Sequence, residues 1–346
     1  MAMMALARVV LALLVFVLLG EVTCRVLPVS TSTRTGYYTD PDVQTYPAHA
    51  QWQVSTGWDL RNPETLHSNG AGFSATREFI PDPHAVAFIG DSFIEASMLD
   101  AQDRPGAQLE RELGGRRPVY AMGTPGTALL DYAERIRYAH ERWQVRDFVI
   151  LMETGDIRQA LCGSGNVVSR CLDPKSLAPR IERYPEPTPV KRLLRESAFA
   201  QYLFSQLKLD PAGSLRRAVV AVSSTFHRRE ARPTAADTPD RAEVTEAVAH
   251  AFFERIAPYR TGRLVIIVDG RRTPQSTLAP ALMAERQRFI GLARRAGAIV
   301  IDAEPLYWRQ LERSPQLLSV GPYDGHLNPL GVRVVCAAIA AALEGP

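Results

Sequence analysis

The residues His84-Ala85-Val86-Ala87-Phe88-Ile89-Gly90-Asp91-Ser92-Phe93 decide how the rest of the chain is read. An apolar run that stops at a glycine and passes into helix-compatible sequence reads as a buried parallel strand closed by a tight turn. Ser92 then stands at the carboxyl end of that strand, the edge where open α/β sheets hold their ligands. Asp91 and Ser92 equally suit a cap for the helix that follows, so the tripeptide alone leaves both readings open.

Downstream, the pattern repeats. Gly106 to Leu113 has a short helical period ending at Gly114-Gly115, and Pro118 to Met122 is a second apolar run, closed by Gly123-Thr124-Pro125-Gly126. Thr127 to Trp143 is amphipathic, with Leu129, Leu130, Ala133, Ile136 and Ala139 on one stripe. Phe148 to Met152 is a third run and ends at Glu153-Thr154-Gly155-Asp156. Residues 157 to about 262 then interrupt the alternation with prolines at 185, 187 and 189, a helix predicted over Val190–Leu209, a polar stretch from Ala231 to Asp240 and a helix over Arg241–Ile256. This reads as an insertion, because no strand-rich core appears in it. The sheet resumes at Leu264–Val268, a helix is expected from about Leu278 to Ala296, and a last strand covers Ile299–Ile301. A variable stretch leads to Tyr323-Asp324-Gly325-His326-Leu327-Asn328-Pro329 and a closing helix over Leu330–Leu343. The fold class expected is α/β, a three-layer sandwich around a five-stranded parallel, flavodoxin-like sheet.

The N-terminus differs in kind. Val9 to Gly20 is unbroken apolar sequence, with Arg8 before it and Glu21 and Arg25 beyond. Ala2 to Gly20 comes close to the length of a span if Arg8 snorkels toward the headgroups. No small-x-small cleavage site stands in Gly20-Glu21-Val22-Thr23-Cys24, and Glu21 spoils a lipoprotein box there. The segment therefore reads as an uncleaved signal anchor over residues 1–27, followed by an irregular leader over 28–82, with the body of the chain outside the cytoplasm.

A net charge of +3 with no basic run interleaved with aromatics argues against nucleic acid as a partner. Of the four cysteines, Cys24 adjoins the apolar segment and Cys336 lies in an apolar helix, where an inert buried thiol is the default. Cys162 and Cys171 stand nine residues apart in a Gly/Ser-rich stretch, a spacing that suits a local disulfide in an oxidising compartment. No cysteine pair has zinc-ligand spacing with histidines beside it.

A serine enzyme needs a nucleophile, a base, a group that orients the base, and donors for the oxyanion. Ser92 is the candidate nucleophile. Of the seven histidines, only His326 stands in a turn beside an acid and just ahead of a closing helix, so it is the candidate base and Asp324 the group that orients it. Exposure of His326 in an ordinary turn is the competing reading of that loop.

Taken together, these blocks resemble the SGNH, or GDSL-like, hydrolase family, in its membrane-anchored bacterial form. Gly90-Asp91-Ser92 looks like its first block, Gly123 in Ala121-Met122-Gly123-Thr124-Pro125-Gly126 like its glycine block, Thr154-Gly155-Asp156 like its third, and Asp324-Gly325-His326-Leu327-Asn328-Pro329-Leu330-Gly331 like its last. The similarity runs from about residue 64 to the C-terminus, which makes 83–346 the hydrolase-like domain. Asn69-Gly70-Ala71-Gly72-Phe73 resembles a segment before the first strand in anchored members. The resemblance implies Ser92, His326 and Asp324 as the catalytic triad, the backbone N–H groups of Ser92 and Gly123 as oxyanion donors, and no metal or cofactor. Two departures stand out. Gly155 occupies the place of the family's usual oxyanion-binding asparagine, which leaves the Gly155 N–H or, more remotely, Asn69 to substitute. In addition, Gly325 alone separates acid from base, where many members have two residues. Three functions follow as expectations: an exported esterase removing an acyl group, O-acetyl in the first instance, from a glycan or small ester; an O-acyltransferase working with an integral-membrane acyl donor; and a non-catalytic glycan-binding or scaffold protein of the same fold.

Overall fold

A computed structural model describes residues 2–31, 38–39, 43–164, 170–182, 188–207, 209, 240–273, 275–321 and 324–345. The polar stretch expected from Ala231 lies outside them up to residue 239, as do the prolines at 185 and 187 and Tyr323. The chain forms two compact units. One comprises Met1–Gly36, Trp52–Leu66 and Glu186–Asp237, and the other Tyr37–Gln51, His67–Pro185 and Thr238–Pro346.

The larger unit is built on five parallel strands, β1 (Val86–Gly90), β2 (Val119–Gly123), β3 (Asp147–Met152), β4 (Leu264–Val268) and β5 (Ile299–Asp302), in the order β2-β1-β3-β4-β5. That is the doubly wound, flavodoxin-like order. Period-2 alternation divides each strand between two cores. Ala87 and Ile89, Tyr120 and Met122, Phe148, Ile150 and Met152, and Leu264, Ile266 and Val268 face one side, packed with Leu129, Ile136, Val248, Phe252 and Phe289. Val86 and Phe88, Val119 and Ala121, Val149 and Leu151, and Val265 and Ile267 face the other, with Leu109, Tyr307, Val335 and Ile339. Both faces are covered, so the central strands carry no polar side and read as continuous apolar runs.

The helices divide accordingly. Leu129–Trp143, Arg241–Ile256 and Pro280–Arg295 supply the first layer, and Pro105–Glu112, Glu304–Arg313 and Pro329–Glu344 the second. Arg241–Ile256 is thus a covering helix of the sheet, and its expected place in the insertion is corrected by Val244, Val248 and Phe252, all buried against the first core. Glu304–Arg313 falls in the stretch read as variable. Pro305 sits in its first turn, where a missing N–H leaves no bond unmade.

The leader is less irregular than its composition suggests. Gln51–Thr56 and Arg61–His67 pair as a two-stranded ribbon, the first alternating with Trp52 and Val54 buried. Pro63 speaks against a central strand but is compatible with a ribbon edge. Within the larger unit, Asn69 shapes its loop by accepting from Ala71 N and Phe73 N, both at 3.0 Å, and donating to Arg77 O at 3.0 Å.

In the smaller unit an apolar helix runs from Ala2 to Val26. Met3–Val26, 24 residues, is long and apolar enough to span a membrane or serve as a signal sequence. The helix expected over Val190–Leu209 is broken at Ser197, whose extended backbone ends Pro189–Glu196 and whose Oγ accepts from Ala200 N at 3.1 Å to start Ala198–Gln201.

Candidate active site

The parallel register aligns the strand ends. Gly90 pairs with Gly123, Ile89 with Ile150 and Val268 with Met152, so the residues after each strand gather on one edge. Asp91 follows β1 and caps a short helix, Ser92–Glu95, its carboxylate accepting from Phe93 N at 2.8 Å. Both readings of Gly-Asp-Ser therefore hold, on neighbouring residues: Asp91 is the cap, and Ser92 is delivered to the sheet edge.

His326 lies on a short strand, Asp324–Leu327, paired antiparallel with Ser319–Gly321, and not in a bare turn. Asn328 then caps the closing helix by accepting from Gly331 N at 2.9 Å. His326 Nε2 is 2.9 Å from Ser92 Oγ, and His326 Nδ1 is 2.6 Å from Asp324 Oδ1. The same Asp324 oxygen accepts from His326 N at 2.9 Å, so the one-residue spacing folds acid and imidazole into a closed turn. Burial alone would push the Asp324 carboxyl up. The bonds from the His326 ring and backbone, with the charge of Arg272, outweigh it and hold the group below its usual range. With its Nδ1 proton directed at Asp324, the imidazole presents the Nε2 lone pair to the serine hydroxyl. The Phe93 ring lies 4.7 Å from the imidazole, centre to centre, and is tilted 45° to it.

Arg272, which sequence reading passed over, braces this loop. Its guanidinium donates to Gly325 O, to Ser319 Oγ at 3.0 Å and to Asp269 Oδ2 at 2.9 Å, and sits 5.3 Å over the Phe93 ring. Asp269 is fixed from its other side by the Tyr307 hydroxyl, which donates at 2.7 Å.

Gly123 lies against the Ser92 turn so closely that a β-carbon there would fall 2.3 Å from Glu95 N. Only glycine admits that approach, which brings Gly123 beside the turn carrying Ser92. Both expected substitutes for the family asparagine are hydrogen-bonded within the protein. Gly155 N donates to Glu153 Oε2 at 3.3 Å, and both polar ends of Asn69 are spent within its own loop. Instead, the space over Gly155 is filled: a β-carbon there would lie 2.6 Å from Glu153 Oε2 and 2.8 Å from Gln159 Nε2. Burial, and then the charges of Asp269 and Asp91, push the Glu153 carboxyl up.

Beneath the edge, Arg135 is completely buried and donates to Gly90 O at 2.6 Å, Met122 O at 3.1 Å and Thr127 Oγ1 at 3.0 Å. It therefore ties together the strand ends that carry Ser92 and Gly123. A readable signal existed: Tyr132 and Ala139, three residues before and four after, are both inward-facing on the same helix, so the charge lies on its apolar arc. Asp156, of the third block, accepts from Glu153 N at 2.9 Å and from the Tyr132 hydroxyl at 3.1 Å, closing the turn after β3.

Cys162 and Cys171 are joined by a disulfide, and Cys24 and Cys336 are buried free thiols. Burial pushes the Cys336 thiol up, which fits an inert core residue.

No family model matches the sequence, and no curated protein matches it either. Similar solved structures include an alpha/beta hydrolase from the metagenome of Lake Arreo, at 12% identity and a TM-score of 0.42 over 76% of this chain and 97% of the other. A member of the lipolytic G-D-S-L family from Veillonella parvula gives 12% and 0.40 over 75% and 95%. The acetyl xylan esterase AlAXEase gives 10% and 0.43 over 75% and 99%. Overlaps this loose lend no weight to an activity, which has to be argued from the residues.

Proposed function

We propose that the chain is a membrane-anchored serine esterase that removes an acyl group, O-acetyl in the first instance, from a carbohydrate or small ester outside the cytoplasm. The observation that carries this reading is the line from Asp324 through His326 to Ser92, spanned at 2.6 and 2.9 Å by residues from opposite ends of the domain. Ser92 Oγ attacks the acyl carbon while His326 Nε2 takes its proton, and Asp324 stabilises the imidazolium. The tetrahedral oxyanion meets the N–H groups of Ser92 and Gly123. As the ester C–O bond breaks, His326 returns the proton to the leaving alcohol. Water, deprotonated by the same imidazole, then releases the acyl group and restores Ser92.

Retention of the N-terminal helix is supported by its last turns. Glu21 accepts from Ser197 Oγ at 2.6 Å and from Phe199 N at 3.1 Å, so this end is built into the smaller unit as a removable leader need not be. The Cys162–Cys171 disulfide is in keeping with an oxidising compartment. The retained helix also favours the acyltransferase reading, in which a sugar hydroxyl replaces the water and an integral-membrane protein supplies the acyl group.

A fluorophosphonate probe applied to the full chain in detergent should label Ser92, with labelling abolished in Ser92→Ala and sharply reduced in His326→Ala. Absence of labelling in a folded sample refutes the enzyme. Acetate release, compared with acetyl transfer to an added oligosaccharide, separates esterase from transferase.

A further inference from the structure

The smaller unit carries a surface that ester chemistry does not use. Pro189–Glu196 is an eight-residue helix whose apolar residues, Val190, Leu193 and Leu194, fall on one arc and whose basic residues, Lys191, Arg192 and Arg195, fall on the other. None of its residues is buried. Val190 and Leu193 are 67% and 73% exposed and share their arc with the exposed Leu194, a contiguous apolar patch of the kind that marks a contact surface. At the tip of the leader ribbon in the same unit, Trp58 is 72% exposed, and its backbone carbonyl accepts from the Tyr202 hydroxyl at 3.0 Å.

This surface is tethered at a defined level of the N-terminal helix. Glu21 caps the junction after Pro189–Glu196 through Ser197 Oγ, Ala198 N and Phe199 N, and Arg25 donates to Glu196 O at 3.3 Å. Phe199 packs edge-on against Phe16, their ring centres 5.7 Å apart. Phe16 lies four residues before Gly20, where the unbroken apolar sequence ends, about 6 Å of helix rise. Phe199 therefore reaches the depth of the span itself. Eight residues of helix extend only about 12 Å from that tether, so Pro189–Glu196 stays within about that distance of the level at which the N-terminal helix leaves a bilayer.

We infer that Pro189–Glu196 lies in the interface of an anionic bilayer, its apolar arc among the upper acyl chains and its basic arc against phosphate headgroups. The inference rests on retention of the N-terminal helix as an anchor. An amphipathic helix gains from such a position by the apolar area it buries and by the attraction of its basic residues to an anionic surface. An interfacial tryptophan suits the same layer. The occupant is lipid, because the surface continues directly from the span and bears the charge that anionic headgroups complement.

The test uses the full chain in vesicles of phosphatidylcholine with and without phosphatidylglycerol, labelled with an environment-sensitive fluorophore at Leu193→Cys. The native free thiols are buried, which directs the label to the new cysteine. Lipids carrying a shallow nitroxide should quench this label well above a control at Glu141→Cys, and Lys191→Glu/Arg192→Glu/Arg195→Glu should reduce the quenching where phosphatidylglycerol is present. A parallel label at Leu13→Cys, near the middle of the span, reports on the anchor through lipids carrying a nitroxide deep in the acyl chain. Quenching at Leu13 without quenching at Leu193, the latter remaining open to aqueous iodide, overturns the lipid contact and leaves the surface to a protein partner. No quenching at Leu13 removes the anchor, and the inference with it. Quenching at Leu193 that ignores both phosphatidylglycerol and the charge reversal overturns the headgroup assignment.

Discussion

Arg272 donates to the backbone carbonyl of Gly325, the one residue between Asp324 and His326. A planar guanidinium can hold Gly325 O, Ser319 Oγ and Asp269 Oδ2 together in a fixed fork, whereas an ammonium cannot reach the same three with the same rigidity. Its influence on catalysis passes through the loop that carries the imidazole. Arg272→Lys is expected to lower kcat by about tenfold and Arg272→Met by more, with KM nearly unchanged, because misplacement of a catalytic group costs rate before it costs binding. Steady-state kinetics on a model acetyl ester decide the matter; a rise in KM at constant kcat would give Arg272 a substrate-binding role instead.

Gln159 brings an amide to the place from which a side chain at Gly155 would start. If it supplies the third oxyanion donor, Gln159→Ala should reduce kcat by about 10²-fold, as loss of one such donor typically does. The double variant Gln159→Ala/Gly155→Asn should recover part of it, because it removes one of the two groups over residue 155 and leaves the Glu153 carboxylate, 2.6 Å from a β-carbon there, to swing aside. Equal activity of wild type and Gln159→Ala would leave the site with backbone donors alone.

Arg135 is a buried cation whose partners are carbonyls at the ends of β1 and β2. Replacing it with methionine removes a charged donor from Gly90 O and Met122 O, leaving Gly90 O its bond from Thr124 N at 3.4 Å, and removes the charge facing Asp131 and Asp91. Arg135→Met is expected to destabilise the fold by about 3–5 kcal/mol, measured by urea denaturation. A loss under about 1 kcal/mol would mean that water replaces the guanidinium.

The contrast between these residues and the strands explains what could be read beforehand. Val86–Gly90 and Leu264–Val268 are buried on both faces, so burial is written into five consecutive apolar residues. Ser92 and His326 are legible as candidates because acyl chemistry asks for a nucleophile and a base at strand-end loops, and a family resemblance points to the same residues. Arg272 and Gln159 carry no such mark. Arg272 meets Gly325 across 53 residues, and that meeting exists only after β4 and the final ribbon are in place. Ser197 looked like one more position in a helical run, and became a break because its hydroxyl found a neighbouring N–H.

Glu95 gives the clearest pH dependence. It is buried in the turn after Ser92 and accepts from the Tyr46 hydroxyl at 2.9 Å. Burial, only partly offset by that bond and by the charges of Arg104 and His326, pushes its carboxyl up from 4.5 to about 7. The folded protein therefore holds a proton that the unfolded chain has already released between these values. Stability should be full below about pH 4.5 as far as this group is concerned, fall as pH rises toward 7, and level off above it, by about 3 kcal/mol at most. Glu95→Gln keeps an acceptor for Tyr46 and removes the ionisation, so it should raise the urea midpoint at pH 8 and leave it nearly unchanged at pH 4.5. A variant equally stabilised at both values would show that packing, and not the proton, governs this position.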